Sequence, residues 1–190
     1  MICLVRHGET DWNLQGKIQG STDIPLNETG IKQAEACSSY FEGSDWDIIV
    51  SSPMKRAKQT AEIINQKLQV DVVERHAFKE RGFGDAEGLT LEERLRLFPN
   101  HEYPNQELKQ DFIKRVMGGM EEINQRFPNK KVLVVAHGAV IHSLLNEMAK
   151  EQIDFMNTKL ANACISHVQY IVDKWHVHNY NQIDHLENVK

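Results

Sequence analysis

The chain has 190 residues, of which 41% are hydrophobic and 26% charged, and a formal net charge of −5. This balance excludes a disordered chain and fits a single globular domain spanning residues 1–190. The acidic surplus argues against nucleic acid as a partner, because a phosphate backbone attracts basic surfaces, whereas a small anion answers to the local field of a cleft. Along the chain, Ile2 to Val5 is a short apolar run that predicts a buried strand. Gly8 to Leu26 is rich in Gly, Asn, Asp, Ser and Pro and reads as loop. Asn27 is placed to cap a helix whose one face carries Ile31, Ala34, Cys37, Ser38 and Phe41. Asp47 to Ser51 predicts a second strand, followed by Pro53 as a first helical residue, with Met54, Ala57, Ala61, Ile64 and Leu68 on the apolar side of that helix.

Val70 to Arg75 is a third strand candidate, and a Gly-rich loop from Glu80 to Asp85 follows. A short helix capped by Thr90 comes next. A longer one is expected from Asn105 to Arg126, weakened by Gly118 and Gly119 at roughly 1 kcal/mol each against alanine. Val132 to Ala136 is the most strand-like run, and a helix from Ala139 to Ala149 follows it. Cys164 to Tyr180 alternates around Asp173-Lys174 as a hairpin does. Strands alternating with helices predict an α/β sheet covered on both faces, with a largely parallel centre and an antiparallel edge; segregated α+β is the alternative.

The three cysteines, Cys3, Cys37 and Cys164, form no CxxC pair and no disulfide framework. That pattern favours a reducing compartment. Met1 to Val5 lacks the basic start and length of a signal peptide, and no apolar run approaches a membrane span. The expectation is a cytoplasmic protein without a membrane partner. No HExxH or Cys-His cluster occurs among the nine histidines, so no metal is expected; His142 reads as packing or support, and His176 and His178 as strand-surface residues. Nothing in the residues calls for a particular oligomeric state.

One local pattern occurs twice. The first strand runs into Arg6-His7-Gly8, and Val132 to Ala136 runs into His137-Gly138. Ligands of open α/β sheets bind beyond the carboxyl ends of the strands, so two central strands of this kind would set two imidazoles across one crevice. Gly8 and Gly138 would let backbone approach a ligand closely. Ser51-Ser52-Pro53 ends a third strand and puts Arg56 on the first turn of the next helix, whose free N–H groups are a further anion site. Arg6 and Arg56 would then clamp a phosphoryl group through charge-assisted hydrogen bonds. Taken singly, each histidine also reads as structural, and Lys55, Arg56 and Lys58 as one basic helical face.

The stretch Leu4-Val5-Arg6-His7-Gly8-Glu9-Thr10-Asp11-Trp12-Asn13 resembles the opening motif of the histidine phosphatase superfamily, the phosphoglycerate mutase-like group, in its phosphatase branch. The likeness continues in order through Gln19-Gly20, Asp23 with Pro25-Leu26-Asn27, Thr29-Gly30, Gln33-Ala34, and Ser51-Ser52-Pro53 with Arg56-Ala57 and Gln59-Thr60-Ala61. It ends with Glu80, Gly84-Asp85, Glu87-Gly88 and Val135-Ala136-His137-Gly138, and so covers essentially the whole chain. The resemblance implies a three-layer α/β/α sandwich. It implies His7 as the phosphorylated nucleophile, Arg6, Arg56 and His137 as holders of the phosphoryl oxygens, and Glu80 as proton donor. Asn13, Gln19 and Gly20 would line the phosphate pocket with Gly8 and Gly138. Two departures lie on the substrate side: Ala86 stands where many phosphatases have an aromatic residue, and Glu107 is flanked by Gln106 and Leu108 in place of Gly and Ser.

The chemistry requires such groups. A neutral imidazole avoids the repulsion a dianionic phosphomonoester exerts on anionic nucleophiles. Fixed cations neutralise the transferring group without a metal or other cofactor. A carboxyl kept protonated by burial can serve the leaving alkoxide; read without the resemblance, Glu80 is a surface carboxylate paired with Lys79 or Arg81. The expected activity is metal-independent hydrolysis of a small phosphorylated metabolite with release of phosphate. Phosphoglycerate mutase-type transfer and a non-catalytic phosphate-binding protein are the alternatives. Mutases of this family carry a longer insertion between the acid and the second histidine, whereas only 57 positions separate Glu80 from His137 here (137 − 80), which favours hydrolysis. Residues 89–115 are expected to form a substrate cap, with Arg94, Arg96, Lys109 and Arg115 as candidate contacts to a leaving group.

Overall fold

Alternation of side chains along the strands decides the layering. In the computed structural model, which describes residues 1–149 and 158–189, six strands form one sheet in the order β3-β2-β4-β1-β5-β6. They are β1 (Ile2–Arg6), β2 (Ile48–Ser51), β3 (Asp71–Glu74), β4 (Val132–Ala136), β5 (Ile165–Ile171) and β6 (Lys174–Gln182). The first four in spatial order are parallel, and β5 and β6 add an antiparallel edge. The helices are α1 (Asp11–Leu14), α2 (Glu28–Phe41), α3 (Lys55–Leu68), α4 (Leu91–Leu97), α5 (Lys109–Arg126) and α6 (Gly138–Met148).

Successive side chains of a strand point to opposite faces. Cys3 and Val5 of β1, with Leu133 and Val135 of β4, pack with Cys37 and Phe41 of α2 and Ala57, Ala61 and Ile64 of α3. Ile2 and Leu4, with Val132, Val134 and Ala136, pack instead with Phe112, Val116 and Met120 of α5 and Val140, Ile141 and Leu144 of α6. Each of β1, β2 and β4 is therefore apolar on both sides, and the fold is the three-layer α/β/α sandwich expected. The expectation of one domain over 1–190 also covers residues 150–157 and 190, which lie outside the described residues.

Several boundaries differ from the sequence expectation for identifiable reasons. Pro53 is not helical: α3 starts at Lys55, its cap Met54 is extended, and the Asp23 carboxylate accepts the Lys55 N–H at 2.7 Å. The long helix starts at Lys109, not Asn105, because Asn105 is left-handed (φ 61°) and Glu107 exchanges hydrogen bonds with the Gly82 loop. Ile31 is 41% exposed, and Gly30 takes its place on the buried face of α2. The third strand is Asp71–Glu74, shorter than predicted at both ends. The hairpin turns at Val172-Asp173, both with positive φ, one residue earlier than expected. Thr90 caps α4 as predicted, in a capping box with Glu93.

Candidate active site

Parallel register brings the ends of β1, β4 and β2 to one edge of the sheet. Arg6 pairs with Ala136, and Ser51 with Val135. One residue further, the His7 N–H donates to the Ala136 carbonyl and the Ser52 N–H to the Val135 carbonyl, both at 3.0 Å. His7 and His137 thus emerge side by side, buried, with ring centroids 5.2 Å apart and planes tilted by 60°.

The loop after β1 is seated by close backbone packing. A Cβ on Gly8 would lie 2.3 Å from the Gly30 carbonyl oxygen, so α2 can approach only because both residues are glycine. The Gly8 N–H donates to Thr60 Oγ1 of α3 at 3.1 Å. His7 Nδ1 lies 2.7 Å from the Gly8 carbonyl oxygen. A carbonyl only accepts, so Nδ1 carries the hydrogen and Nε2 presents a lone pair.

His137 takes the opposite tautomer. Arg56, fully buried, donates from Nε to His137 Nδ1 at 3.2 Å. The hydrogen therefore resides on Nε2, which stands 2.7 Å from Ser52 Oγ. The other Arg56 nitrogens donate to the carbonyls of Thr22 (2.9 Å) and Gly20 (3.0 Å). Arg56 is in the expected crevice, but most of its donors hold His137 and the 20–22 loop. At the neighbouring helix end, expected as an anion site, the Asp23 carboxylate accepts the Lys55 N–H.

Arg6 donates from Nη1 to the Leu160 carbonyl, and its buried Nε has no partner among the described residues. A Cβ on Gly138 would lie 3.4 Å from that Nε, which locates Arg6 beside the turn that follows β4. Gln19 is 8% exposed, and neither polar atom of its side-chain amide has a partner among the described residues. Burying an unpaired amide costs about 1–3 kcal/mol, a cost usually met where a ligand supplies the missing bonds.

Electrostatics follows from burial. The His7 pKa is held well below its usual value first by desolvation, then by the charges of Arg56 and Arg6. The same order of desolvation and Arg56, joined by His7 and Arg6, depresses His137. Both imidazoles are neutral near pH 7. Glu80 is buried and shifts the opposite way: desolvation raises its pKa, and two backbone hydrogen bonds with the arginine charges offset this only in part. Those bonds come from Arg81 N–H at 2.9 Å and Ala139 N–H, in the first turn of α6, at 3.1 Å. Glu80 is not the surface ion pair of the alternative reading.

Asn13 caps the first loop: its Oδ1 accepts from the Thr10 N–H at 3.2 Å and from Asn162 Nδ2 at 3.1 Å. Asn162 had no part in the sequence expectation. Its Nδ2 also reaches the carbonyls of His7 (3.2 Å) and Gly8 (3.3 Å), so it clasps the loop that carries His7. A signal existed, because a strand antiparallel to β1 must begin where β1 ends. Ser52 was visible only as part of a motif. Glu87 was too, and its carboxylate accepts from the Ser21 and Thr22 N–H groups (2.8 Å each) and from the Phe83 N–H (3.0 Å), tying the 20–22 loop to the loop after Glu80.

A cleft of about 430 Å³ opens beside Glu80, lined also by Ser21, Lys79, Gln106, Glu107 and Arg115. Of the cap residues expected near a leaving group, Arg115 reaches it. Arg94 instead bonds the Tyr103 hydroxyl at 3.3 Å, and Arg96 and Lys109 are exposed. His142 bonds Asn146 on its own helix at 3.0 Å, and His178 bonds Gln169 across the hairpin at 3.2 Å. Among the described residues no group of three or more His, Cys, Asp or Glu could hold a metal ion, and no helix is long and apolar enough to cross a membrane.

Two neutral imidazoles over the ends of parallel strands, with arginines behind them, define a phosphoryl-handling class of α/β protein. The chain belongs to the histidine phosphatase superfamily (branch 1), whose family model matches residues 2–183. It is 54% identical over 185 residues to an uncharacterized phosphatase, PhoE, of Bacillus subtilis (strain 168), covering 97% of this chain and 96% of that one. It is 32% identical over 202 residues to a metal-independent phosphoserine phosphatase of Arabidopsis thaliana, covering 99% and 84% respectively. A solved phosphoserine phosphatase from Entamoeba histolytica, in complex with 3-phosphoglyceric acid, superposes with a TM-score of 0.84 at 30% identity, over 97% of this chain and 98% of that one.

Proposed function

We propose that this protein hydrolyses a phosphomonoester of a small metabolite through a phosphohistidine on His7. The observation that carries the reading is the pinned tautomer of His7: Nδ1 is tied to the Gly8 carbonyl, so the free Nε2 lone pair faces a crevice walled by buried cations. In the first half-reaction Nε2 bonds to phosphorus and the ester P–O bond breaks. Glu80, protonated through burial, gives its proton to the departing alkoxide. In the second, the Glu80 carboxylate takes a proton from water as the water oxygen attacks phosphorus. The P–N bond breaks, and phosphate leaves.

The phosphoryl oxygens are held by Arg6 through its Nε, which has no partner among the described residues, by Gln19, and by the His137 Nε2–H now resting on Ser52. Asn13, Gly8, Gly20 and Gly138 form the backbone and amide walls of that pocket. Arg56 supplies charge and fixes the tautomer of His137. Positioning and electrostatics carry phosphoryl transfer, so these groups suffice without a metal or cofactor. Residues 89–115 flank the leaving-group side as the cap. Three buried free thiols fit a reducing compartment, and the cytoplasm is the proposed location.

The test is turnover of p-nitrophenyl phosphate with and without chelator, combined with rapid quench for an acid-labile phosphoenzyme. Wild type should turn over equally in both and His7→Ala should do neither step. Turnover retained by His7→Ala would sink the nucleophile assignment, and activity lost to chelator would sink metal independence.

A further inference from the structure

Resting on that reading, we propose that Gln33 is a positioning residue that keeps His7 nucleophilic by holding the peptide plane between Gly8 and Glu9. The Gly8 carbonyl decides the tautomer of His7, because Nδ1 lies 2.7 Å from it. A trans peptide is planar, so that carbonyl and the Glu9 N–H leave opposite edges of one rigid unit. Whatever holds the Glu9 N–H therefore also aims the Gly8 carbonyl. Gln33, on the second turn of α2, does so: its Oε1 accepts the Glu9 N–H at 2.8 Å across 24 positions of sequence.

The surroundings leave this plane to Gln33. The peptide groups on either side are tied to other elements: the Gly8 N–H donates to Thr60 Oγ1 at 3.1 Å, and the Glu9 carbonyl accepts the Asn27 N–H at 3.0 Å. Gly8 has no Cβ to resist rotation between them. Asn162 Nδ2 also reaches the Gly8 carbonyl, at 3.3 Å, but it divides its hydrogens among three acceptors. The half-buried Gln33 starts from a rigid helix seated on this loop, since a Cβ on Gly30 would run into the Glu9 carbonyl oxygen. Rotation of the plane would withdraw the acceptor from Nδ1, and a full flip would present the Glu9 N–H there instead. In both cases the imidazole hydrogen moves to Nε2, which then has no lone pair for phosphorus.

The experiment compares Gln33→Met, which keeps the length of the side chain without the acceptor, with Gln33→Glu, which keeps an oxygen at the same reach. Long-range 1H–15N spectra read the His7 tautomer at pH 7.5, and rapid quench with p-nitrophenyl phosphate reads formation of the phosphoenzyme. Wild type should show Nδ1–H as the main form. In Gln33→Met that form should fall to about a tenth, with phosphorylation slowed about ten-fold and KM changed less than about two-fold. The slowing should match the lost Nδ1–H fraction, a correspondence that a merely structural role would not produce. Gln33→Glu should recover both. An unchanged tautomer in Gln33→Met, whatever its melting temperature, or a Gln33→Glu variant no better than Gln33→Met, would overturn the role of Gln33 and leave the phosphatase reading intact. Wild type that forms no phosphoenzyme and releases no phosphate would overturn the phosphatase reading, and the spectra would still decide whether Gln33 sets the tautomer.

Discussion

Arg56 donates from Nε to Nδ1 of His137 at 3.2 Å, and this one bond decides which nitrogen of His137 carries the hydrogen. The two histidines end up with opposite faces on offer: His7 shows a lone pair at Nε2, and His137 shows a hydrogen there. One can attack, and the other can hold.

Replacing Arg56 by lysine should break this division of labour. An ammonium cannot serve His137 and the Gly20 and Thr22 carbonyls from one planar fork. Stability should fall by about 2–4 kcal/mol and kcat by about 100-fold. Long-range 1H–15N spectra of His137 check the cause, since the Nε2–H form should dominate in wild type and lose that dominance in Arg56→Lys.

Asn162 should matter for rate through the loop that carries His7. Asn162→Ala releases the His7 and Gly8 carbonyls and Asn13 together, and should lower kcat ten- to roughly hundred-fold by loosening the nucleophile loop. Asn162→Asp, which faces those carbonyls with a charge, should be worse. A normal kcat in either variant would remove the clasp from the mechanism.

Activity should be bounded by pH on both sides. The alkaline limb reports Glu80, whose raised pKa means that the acid is lost as pH climbs through it. The acidic limb reports protonation of His7 and lies below pH 6.5, because burial and the arginines depress its pKa. Glu80→Gln should remove the alkaline limb and cost about 10²–10⁴ in kcat for alkyl esters. It should cost far less for p-nitrophenyl phosphate, whose leaving group needs no proton. Profiles of kcat/KM for both esters test this.

Stability should also depend on pH through the two histidines. Their folded pKa values lie below the unfolded 6.5, so the unfolded chain binds more protons. Their contribution is complete above pH 6.5 and is lost as pH falls through the depressed values, at up to about 1.4 kcal/mol per pH unit for each. Urea midpoints at pH 7.5, 6.5 and 5.5 should decline in wild type. They should decline less in a His7→Asn, His137→Gln double variant, and equal slopes would refute the assignment.

Adjacent glycines of α5 should respond with opposite signs to alanine. A Cβ on Gly118 would meet nothing within 4 Å, so Gly118→Ala should stabilise by about 0.5–1 kcal/mol. A Cβ on Gly119 would lie 2.8 Å from Ala77 Cβ and 3.0 Å from Phe78 Cζ, and Gly119→Ala should destabilise by about 1–3 kcal/mol. Thermal denaturation of the pair decides it.

Much of the site was readable because strand ends are readable. Apolar runs that stop at His-Gly mark where two parallel strands deliver side chains, and the sheet did bring His7 and His137 into contact. Local patterns could not show how donors are shared out. Arg56 looked like a free phosphate clamp, but three of its acceptors come from residues far away in sequence. Asn162 was missed because it sits in no apolar period and acts across 155 positions on the His7 carbonyl. Pro53 misled through its preference for the first helical turn, a preference that Asp23 and Met54 override two residues later.

Asn162 also ties an early loop to a late part of the chain. The ribosome delivers β1 and His7 first, but β4, the strand that pairs with β1, spans residues 132–136, and Asn162 comes after it. A nascent chain halted at Ala149 carries His7 without the clasp on the loop around it. The loop that carries His7 thus reaches its final hydrogen bonding only with residues made well after it.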